Sequence, residues 1–345
     1  MKLLHDRYTI HPAVPFSIAR GTTTSYDRIR VRLVDDAGIE GWGEAAPNAY
    51  YKETPDSVLA ALPRLEAVLA RSRSVASLHD IDVLEEWMRV ESPADASARA
   101  AVSAAAHDLL GKKLGQPLWR VFGLDPAMAP PSSFTIAISQ SDRELMKRVE
   151  DARRYPILKI KLGTDRDEWI VQTVRRSAPT KILRVDANAA WSVPKAVAMT
   201  RALADLGVEL IEQPLPPDDI EGFREVTRQS PIPVFADESC RTATDLPRLD
   251  GAVHGINIKL SKCGGLAEAR RMAIDARRRG LKVMLGCMIE SSLGVTAAAH
   301  LAPLADYADL DGAALLQDDP FVGASIQDGV IRLSDQPGLG VIRRS

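Results

Sequence analysis

The sequence predicts an α/β protein built around a (β/α)8-type barrel, with a smaller α+β unit in its first third. Eight short apolar runs follow residue 130 at intervals of about 25 residues, and most segments between them have the apolar spacing of helices. Eight β-α repeats of that length are typical of a barrel. The alternative is a doubly wound sheet, but the chain contains neither a GxGxxG nor a Walker sequence. The eight runs are Phe134–Ile138, Ile157–Leu162, Ile182–Val185, Val208–Ile211, Val234–Ala236, Ile256–Leu260, Val283–Leu285 and Tyr307–Leu310.

The first third of the chain has a different pattern. YDRIRVRLVDDAG alternates apolar and polar residues up to a turn, and GIEGWGEAAP is typical of a second strand. The later segments SVLAALPRLEAVLARS and ASARAAVSAAAHDLLGKKLG have helical spacing, and Gly115 is expected to end the second helix. We therefore expect an α+β domain over residues 1–125 and a barrel over residues 126–315.

Composition restricts the classes of function. The 345 residues suffice for one large domain and a smaller one, and the formal net charge is −2. The sequence has no basic stripe and no long apolar segment, so we expect neither nucleic-acid binding nor a membrane span. Three scattered cysteines without a CxxC pair, and the lack of a signal-peptide pattern, predict a cytoplasmic protein. We also expect a homo-oligomer.

Three carboxylates each close a predicted strand, and the three strands are successive. They are Asp186 in ILRVDAN, Glu212 in VELIEQP and Asp237 in VFADES. The carboxyl ends of barrel strands converge, so these side chains are expected to lie within metal-sharing distance. A single carboxylate there would be an ordinary helix N-cap, but three negative charges together need a compensating cation. Oxygen ligands of this kind suit Mg²⁺, and we expect one ion per subunit.

Lysines flank the three acids in sequence. Lys159 and Lys161 lie two apart in ILKIKLG and so point to the barrel interior, unless one or both extend to solvent at the strand end. Lys259 lies in INIKL, four strands further on and across the barrel, whereas Lys262 is expected in a loop. Mutual repulsion, the nearby Mg²⁺ and partial burial should lower the lysine pKa values, so that a neutral amine can take a proton from carbon. Lysines on both faces of a substrate predict epimerisation or racemisation, and one active lysine predicts elimination or cycloisomerisation.

The motifs KIKLG, VDANAAW, IEQPLPP, ADES and NIKLSKCGG occur in this order, each on its own predicted strand. Together they resemble the enolase superfamily, in its muconate-lactonizing-enzyme-like subgroup, over essentially the whole chain. The resemblance implies a modified TIM barrel, (β/α)7β, with an α+β capping domain to which residues 316–345 return. It also implies that Lys161 and Lys259 are the acid and base and that Lys159 is an auxiliary lysine. The implied metal ligands are Asp186, Glu212 and Asp237.

Further details resemble the dipeptide epimerases of this subgroup. Asp309 and Asp311 match an Asp-x-Asp pair that binds the free α-ammonium group of the substrate, although Asp311-Gly312 is also an ordinary turn sequence. The segments PFSIARGTTTSY and NAYYKET resemble two loops that close over the substrate. Glu290 is expected to bond a catalytic lysine, to cap a helix or to face solvent. The implied substrate contacts in these loops and in GCMIESSLG are Arg20, Thr23, Met288 and Glu290.

The loop after Arg20 departs from part of this subgroup. Members that act on an acidic second residue carry an arginine there, whereas this chain has Thr22, Thr23 and Thr24. A threonine loop cannot bind a carboxylate side chain in a bidentate manner. We therefore expect a second residue that is apolar or broad rather than acidic.

The resemblance implies a Mg²⁺-dependent isomerase whose small-molecule substrate is a dipeptide. It would invert the α-carbon of the C-terminal residue by two-lysine 1,1-proton transfer through an enediolate. The alternatives on the same site are the reactions of o-succinylbenzoate synthase, N-succinylamino-acid racemase and muconate cycloisomerase. A non-catalytic barrel used for binding is a third hypothesis, which the complete set of lysines and acids opposes.

Overall fold

An antiparallel sheet and the helices that cover it form the first third of the molecule. The computed structural model describes residues 1–72, 75–139 and 141–344. The strands of this region are β1 (Lys2–Ile10), β2 (Phe16–Ile18), β3 (Gly21–Thr23), β4 (Tyr26–Val34) and β5 (Glu40–Ala45). The helices are α1 (Pro55–Arg71), α2 (Leu78–Glu91), α3 (Ala96–Lys113) and α4 (Leu118–Val121). Strand β4 pairs with β1 on one side and β5 on the other, while β2 and β3 form a separate hairpin.

Strand β4 has two different faces because side chains alternate along a strand. Ile29, Val31 and Leu33 are fully buried in one apolar cluster with residues of α1, α2 and α3. Arg28 and Arg30 point to the opposite face and are also buried. This alternation agrees with the predicted strand, and it places buried arginines on the face away from the helices.

Helix α3 packs unusually close to β5. A Cβ atom at Gly41 would lie 2.0 Å from the carbonyl oxygen of Ala105, and one at Gly43 would lie 2.0 Å from that of Ala101. Only glycine permits such an approach of strand to helix. The Gly-Trp-Gly sequence of β5 and the alanine-rich sequence of α3 are therefore two parts of one packing contact.

Eight parallel strands form the predicted barrel. The strands are β6 (Phe134–Ile136), β7 (Ile157–Lys161), β8 (Ile182–Asp186), β9 (Val208–Glu212), β10 (Val234–Ala236), β11 (Gly255–Ile258), β12 (Lys282–Gly286) and β13 (Tyr307–Asp309). They pair in sequence order from β6 to β13. The sheet closes where the segment before β6 meets β13: Ser132 pairs with Ala308, and the Ser133 amide donates to the Ala308 carbonyl oxygen at 3.0 Å.

The connections confirm the (β/α)7β form. Helical segments follow each of the first seven barrel strands, whereas a short 3-10 turn (Gly312–Leu315) follows β13. In the described residues, no helix has both the length and the apolar composition for crossing a bilayer. The helices are α5 (Asp142–Asp151), α6 (Asp167–Ser177), α7 (Val193–Asp205), α8 (Ile220–Gln229), α9 (Leu246–Leu249), α10 (Leu260–Cys263), α11 (Leu266–Arg278) and α12 (Ser292–Ala299).

The C-terminal segment runs back onto the first third of the chain. Gly338 forms an isolated bridge with Pro117, and the Leu118 amide donates to the Gly338 carbonyl oxygen at 2.8 Å. The Leu339 amide donates to Oδ1 of Asp108, on α3, at 2.7 Å. The domain limits at residues 125 and 315 remain a prediction. The short strands of this segment are β14 (Phe321–Val322), β15 (Ser325–Gln327), β16 (Val330–Arg332) and β17 (Ile342–Arg343).

Candidate active site

The barrel interior changes from apolar to charged along its axis. Leu210, Phe235 and Met284 form a buried apolar cluster inside it. Glu212 lies two residues beyond Leu210 on β9 and so points to the same interior side. The charged groups therefore gather at the carboxyl ends of the strands, where the loops of a parallel barrel converge.

Three acids meet at these strand ends. Asp186 and Glu212 are the last residues of β8 and β9, and Asp237 directly follows β10. One oxygen from each carboxylate lies within 4.8 Å of the others, and all three side chains are buried. In the described part of the chain, this is the one group of three or more His, Cys, Asp or Glu side chains that could hold a metal ion. The predicted convergence of these side chains is present.

Amide side chains that the sequence argument did not single out orient this acid cluster. The side-chain Nδ2 of Asn188 donates to Oδ2 of Asp186 at 3.2 Å, and its backbone N–H donates to Oδ1 at 2.8 Å. Nδ2 of Asn257 donates to Oε1 of Glu212 at 2.9 Å. Gln213 lies next to Glu212 and accepts the backbone N–H of the third acid, Asp237, at 2.8 Å. The three amides lie in the motifs VDAN, IEQP and INIK. Their place in the same motifs as the acids and Lys259 could have indicated that they belong to the site.

Two lysines contact the acid cluster from opposite sides of the barrel. Nζ of Lys161, the last residue of β7, lies 2.6 Å from Oδ2 of Asp186. Nζ of Lys259, directly after β11, lies 2.8 Å from Oδ2 of Asp237. Strands β7 and β11 are four positions apart in an eight-stranded barrel. The two ammonium groups therefore approach the acids from opposing walls.

A third lysine lies beneath the acid cluster. The Lys159 side chain is 1% exposed, so it does not reach solvent at the strand end. Its Nζ lies 2.7 Å from Oε2 of Glu212, 3.5 Å from Oδ2 of Asp186 and 2.6 Å from Oδ2 of Asp309. Lys159 thus connects the acid cluster with the Asp309 carboxylate on β13.

With the acids as their only ion-pair partners among the described residues, two of the lysines have pKa values shifted opposite to the direction predicted in the presence of Mg²⁺. Burial by itself lowers the pKa of Lys159, but Asp309 and Glu212 outweigh burial and raise that pKa well above its ordinary value. Burial also lowers the pKa of Lys259, but the charge of Asp237 raises it, and the net shift is upward. Burial also raises the pKa of Glu212 to about 7. With Lys159 and Lys259 bonded to the acids, the charged forms of these two amines are favoured, and a cation bound to the acids would oppose that.

Lys262 is not the loop lysine that the sequence suggested. It lies in the short helix α10 and is 2% exposed. Its Nζ donates to Oδ1 of Asp237 at 2.5 Å and to the carbonyl oxygens of Asn257 and Cys240. A buried ammonium needs such partners, and here they hold Asp237 in place.

The two aspartates predicted to bind an ammonium group have different partners. Asp309 accepts hydrogen bonds from Lys159 and from the Ser133 hydroxyl, which is 2.6 Å from its Oδ1, and Lys159 keeps the pKa of this buried acid low, at about 2. Asp311 accepts the Thr135 amide at 2.6 Å, and burial raises its pKa to about 7. No cationic side chain in the described ranges lies within 4.0 Å of Asp311. Its carboxylate is therefore open to a cation from outside the chain.

A cavity of about 660 Å³ covers these groups, and Lys161, Lys259, Asp309 and Asp311 line it. The β2–β3 hairpin and the residues after β5 form its outer wall. Two of the predicted substrate contacts, Thr23 and Met288, also line it. The site therefore combines the barrel ends with segments from the first third of the chain.

Arg20 lines the cavity, but its charge is already engaged. Its Nη1 lies 2.9 Å from Oε1 of the buried Glu238 and donates to the Asn188 carbonyl oxygen at 3.0 Å. The guanidinium also lies 4.3 Å from the centre of the Tyr50 ring. These contacts leave Arg20 as part of the wall.

Glu290 is not one of the residues that line the cavity. It is buried, its Oε1 accepts the Met288 amide at 3.1 Å, and burial raises its pKa to about 7. A Cβ atom at Gly294 would lie within 2.9 Å of both Glu290 and Glu44, so the two acids are close together. No lysine nitrogen of the described residues lies within 4.0 Å of Glu290. The suggested bond to a catalytic lysine is not made.

Arg28 is a cavity residue that the sequence argument missed, because an arginine on an alternating strand is usually solvent-exposed. It is 3% exposed and lines the cavity. Its Nε donates to the Ile289 carbonyl oxygen at 3.0 Å, and Nη2 donates to the same oxygen. Nη1 donates to the Asp27 carbonyl oxygen at 2.8 Å. Within the described ranges, no carboxylate oxygen lies within 4.0 Å of this guanidinium.

Comparisons with known proteins agree with this fold and site. Residues 2–123 match the mandelate racemase / muconate lactonizing enzyme N-terminal domain, and residues 141–342 match the enolase C-terminal domain-like family. The L-Ala-D/L-Glu epimerase of Bacteroides thetaiotaomicron is 38% identical to this chain, over 99% of this chain and 88% of its own length. A hydrophobic dipeptide epimerase of Roseobacter litoralis is 37% identical, over 99% and 98%.

A solved structure extends the similarity to three dimensions. The dipeptide epimerase of Enterococcus faecalis V583, complexed with Mg and the dipeptide L-Leu-L-Tyr, has a TM-score of 0.91 at 34% sequence identity, covering 99% of this chain and 98% of that one. These relatives are epimerases, and epimerases are isomerases. The chain therefore belongs to the mandelate racemase / muconate lactonizing enzyme family of enolase-like proteins, as its motifs predicted.

Proposed function

We propose that this chain is a Mg²⁺-dependent dipeptide epimerase that inverts the α-carbon of the C-terminal residue. One observation carries the proposal: Lys161 and Lys259 contact a three-acid cluster from opposite walls of one cavity. The relatives described above, one of them complexed with Mg and a dipeptide, support the same reaction class.

The acid cluster fits a divalent cation. Its donors are carboxylate oxygens, which Mg²⁺ prefers, and they lie within 4.8 Å of one another. Burial, and after it the charges of Asp186 and Asp237, raise the pKa of Glu212 to about 7, and a bound cation would favour its charged form. We propose that Asp186, Glu212 and Asp237 hold one Mg²⁺ per subunit. When bound, the cation would supply positive charge next to the substrate's terminal carboxylate and so acidify the neighbouring C–H bond.

The lysines move the proton. One of Lys161 and Lys259, as the neutral amine, takes the α-proton, which breaks the C–H bond and leaves its electron pair on the substrate. The other, as the ammonium, donates a proton to the opposite face of the same carbon, so a new C–H bond forms with inverted configuration. Lys159 is bonded to Glu212 and Asp309 and does not line the cavity, which suits a positioning and charge-balancing role.

The two aspartates on the far wall support a dipeptide over its competitors. Asp311 has an open carboxylate and Asp309 lies beside it, an arrangement that suits a free α-ammonium group. The substrates of o-succinylbenzoate synthase, N-succinylamino-acid racemase and muconate cycloisomerase carry no such group. These reactions use the same lysines and acids, so they remain the second candidate function.

The predicted range of second residues belongs to the same proposal. Thr22 and Thr23 line the cavity, and Arg20 is held by Glu238, so the hairpin itself offers no free cation. This supports a broad second residue that includes apolar side chains. A cytoplasmic location and a homo-oligomeric state remain predictions.

The test is deuterium exchange in D₂O with Mg²⁺ across a library of L-Ala-Xaa dipeptides, followed by mass spectrometry and separation of diastereomers. The proposal expects one deuterium per dipeptide, at the α-carbon of the second residue, and a mixture of both configurations. N-succinyl amino acids serve as the matched control, because they retain the α-proton but lack the ammonium group. Exchange of the succinyl compounds without exchange of any dipeptide would favour the second candidate function.

A further inference from the structure

We propose that Glu85, on helix α2 in the first third of the chain, is a positioning residue for Lys259. Together with Ser103 on α3, it holds the turn that directly follows Lys259 at the barrel end. This inference rests on the proposed dipeptide function and concerns how one of its two lysines is kept in place. Glu85 itself lies outside the cavity of the candidate active site and is not part of the acid cluster.

The buried carboxylate of Glu85 binds backbone amides at the start of a barrel helix. Its Oε1 accepts the Ala267 amide at 3.0 Å, and its Oε2 accepts the Glu268 amide at 3.0 Å. Both amides lie in the first turn of α11, where backbone N–H groups have no partner within the helix. No cationic side chain of the described residues lies within 4.0 Å of Glu85. The carboxylate is therefore stabilised by these donors and by the helix dipole, and not by an ion pair.

Ser103 completes this contact between α2, α3 and the barrel. Its hydroxyl donates to Oε1 of Glu85 and accepts the Leu266 amide at 3.0 Å. Ser103 is fully buried. A Cβ atom at Gly265 would lie 2.5 Å from the Glu85 carboxylate, so this acid lies directly against the backbone that precedes α11. The amides of three successive residues, 266–268, are thus bonded to side chains from the first third of the chain.

One short helix connects these bonded amides with Lys259. The Lys259 carbonyl oxygen accepts the Cys263 amide at 3.0 Å, so the backbone of Lys259 begins α10. Leu260 of α10 lies in one apolar cluster with Ala100 and Ala104 of α3. Two glycines alone join the end of α10 to the start of α11. A displacement at the start of α11 would therefore reach the Lys259 backbone through this single turn.

The segment that follows Lys161 is held by different groups. The amides of Gly163 and Thr164 donate to Oδ1 of Asp167 at 2.9 and 2.7 Å. Asp167 is the first residue of α6, so this support comes from the barrel itself. Lys259, in contrast, depends on side chains of α2 and α3. The loss of the Glu85 carboxylate should therefore affect the proton transfer made by Lys259 and spare that made by Lys161.

The competing role for Glu85 is that of an ordinary helix cap. Such a cap would stabilise α11 without any influence on the position of Lys259. Its removal would then lower the amount of folded protein, and proton exchange at both faces of the substrate would slow equally. The ratio of exchange between the two faces distinguishes these two roles.

The experiment measures α-proton exchange of L,L- and L,D-dipeptides in D₂O with Mg²⁺, in the wild type and in Glu85→Gln. The configuration that Lys161→Ala still exchanges identifies the face served by Lys259. A glutamine has one acceptor oxygen instead of two, so its NH₂ group would face the Glu268 amide and that hydrogen bond would be lost. We expect exchange to slow by at least about 10-fold at the Lys259 face and by less than about 2-fold at the other.

Two further variants accompany this measurement. Ser103→Ala removes the acceptor of the Leu266 amide and should show the same selectivity, so it replaces Glu85→Gln if that variant does not fold. Glu86→Gln is the matched control, because Glu86 is the next residue on α2, is exposed and pairs with Arg89. Thermal unfolding confirms that each variant is folded. We expect Glu86→Gln to exchange both configurations as the wild type does.

Each outcome decides the proposal. Equal slowing at both faces, or no slowing at the Lys259 face in a folded Glu85→Gln variant, would overturn it. Backbone amide exchange, followed by mass spectrometry of peptides, requires no turnover: residues 259–268 should exchange faster in Glu85→Gln, and residues 161–167 should not. If the wild type exchanges no dipeptide, the proposed function fails. The amide exchange then still decides whether Glu85 anchors this turn, and an unchanged rate over residues 259–268 would overturn that assignment.

Discussion

Lys161 and Lys259 reach the same acid cluster from strands that are four positions apart in a closed eight-stranded barrel. The first is bonded to Asp186 at 2.6 Å and the second to Asp237 at 2.8 Å. A planar carbon held between them would have one amine on each face. This arrangement is the basis of the proposed inversion, whereas elimination or cycloisomerisation needs a single base.

Replacing each lysine separately should leave proton exchange at only one face of the substrate's α-carbon. Lys161→Ala and Lys259→Ala should each lower epimerisation by at least about 100-fold, because each removes one of the two proton-transfer groups. Each variant should still exchange the α-proton of one configuration, since the remaining lysine acts on its own face. The measurement is deuterium uptake by L,L- and L,D-dipeptides, analysed separately. Full epimerisation by either variant would contradict the two-base mechanism.

Glu212→Gln should weaken Mg²⁺ binding by at least about 10-fold, because it removes a charged oxygen ligand from the acid cluster. Isothermal titration calorimetry of the protein with Mg²⁺ measures this directly. Glu209→Gln offers a matched control three residues earlier on β9, where Glu209 pairs with Arg184 instead. Unchanged Mg²⁺ affinity in Glu212→Gln would show that the metal lies elsewhere.

Asp311→Asn should weaken dipeptide turnover by about 10- to 100-fold, because it removes a charge-assisted bond to the ammonium group. It should leave any turnover of N-succinyl compounds nearly unchanged. Asp309→Asn provides the contrast, since Asp309 also bonds Lys159 and its loss should affect both substrate types. The measurement is kcat/KM for one dipeptide and one N-succinyl amino acid. Equal effects of Asp311→Asn on both would argue against ammonium binding.

His300 should make stability depend on pH. Its Nδ1 accepts the Trp119 amide at 3.0 Å and its Nε2 faces the Leu339 carbonyl oxygen at 3.2 Å, so the neutral ring joins α12 to α4 and to the C-terminal segment. Burial lowers the pKa of His300 from 6.5 to about 4. The unfolded chain therefore binds a proton before the folded one does, and stability is lost as pH falls from 6.5 towards 4.

Urea unfolding of the wild type and His300→Gln across that range isolates this contribution. The wild type should lose stability relative to the variant by an amount on the order of 3 kcal/mol between pH 6.5 and 4. His79→Gln, which changes an exposed histidine, is the matched control. A difference between wild type and His300→Gln that stays constant with pH would contradict this account.

The sequence by itself determined the barrel, the capping sheet and the convergence of three acids at the strand ends. Evenly spaced apolar runs define the strands, and the strand-end rule then brings Asp186, Glu212 and Asp237 together. The two-residue period of a strand likewise directs Lys159 and Lys161 to one side. These inferences succeed because they depend on local periodicity and on one general property of parallel barrels.

Only the tertiary structure decided how the charges are shared among these groups. Lys262 is buried and bonded to Asp237, and Arg20 forms an ion pair with Glu238. Arg28 lies in the cavity wall because β4 packs beside the loop that carries Ile289, more than 250 residues later. Which cation meets which anion, and in which direction a pKa shifts, depends on distances and burial between segments remote in sequence. The local sequence patterns give no information about these distances.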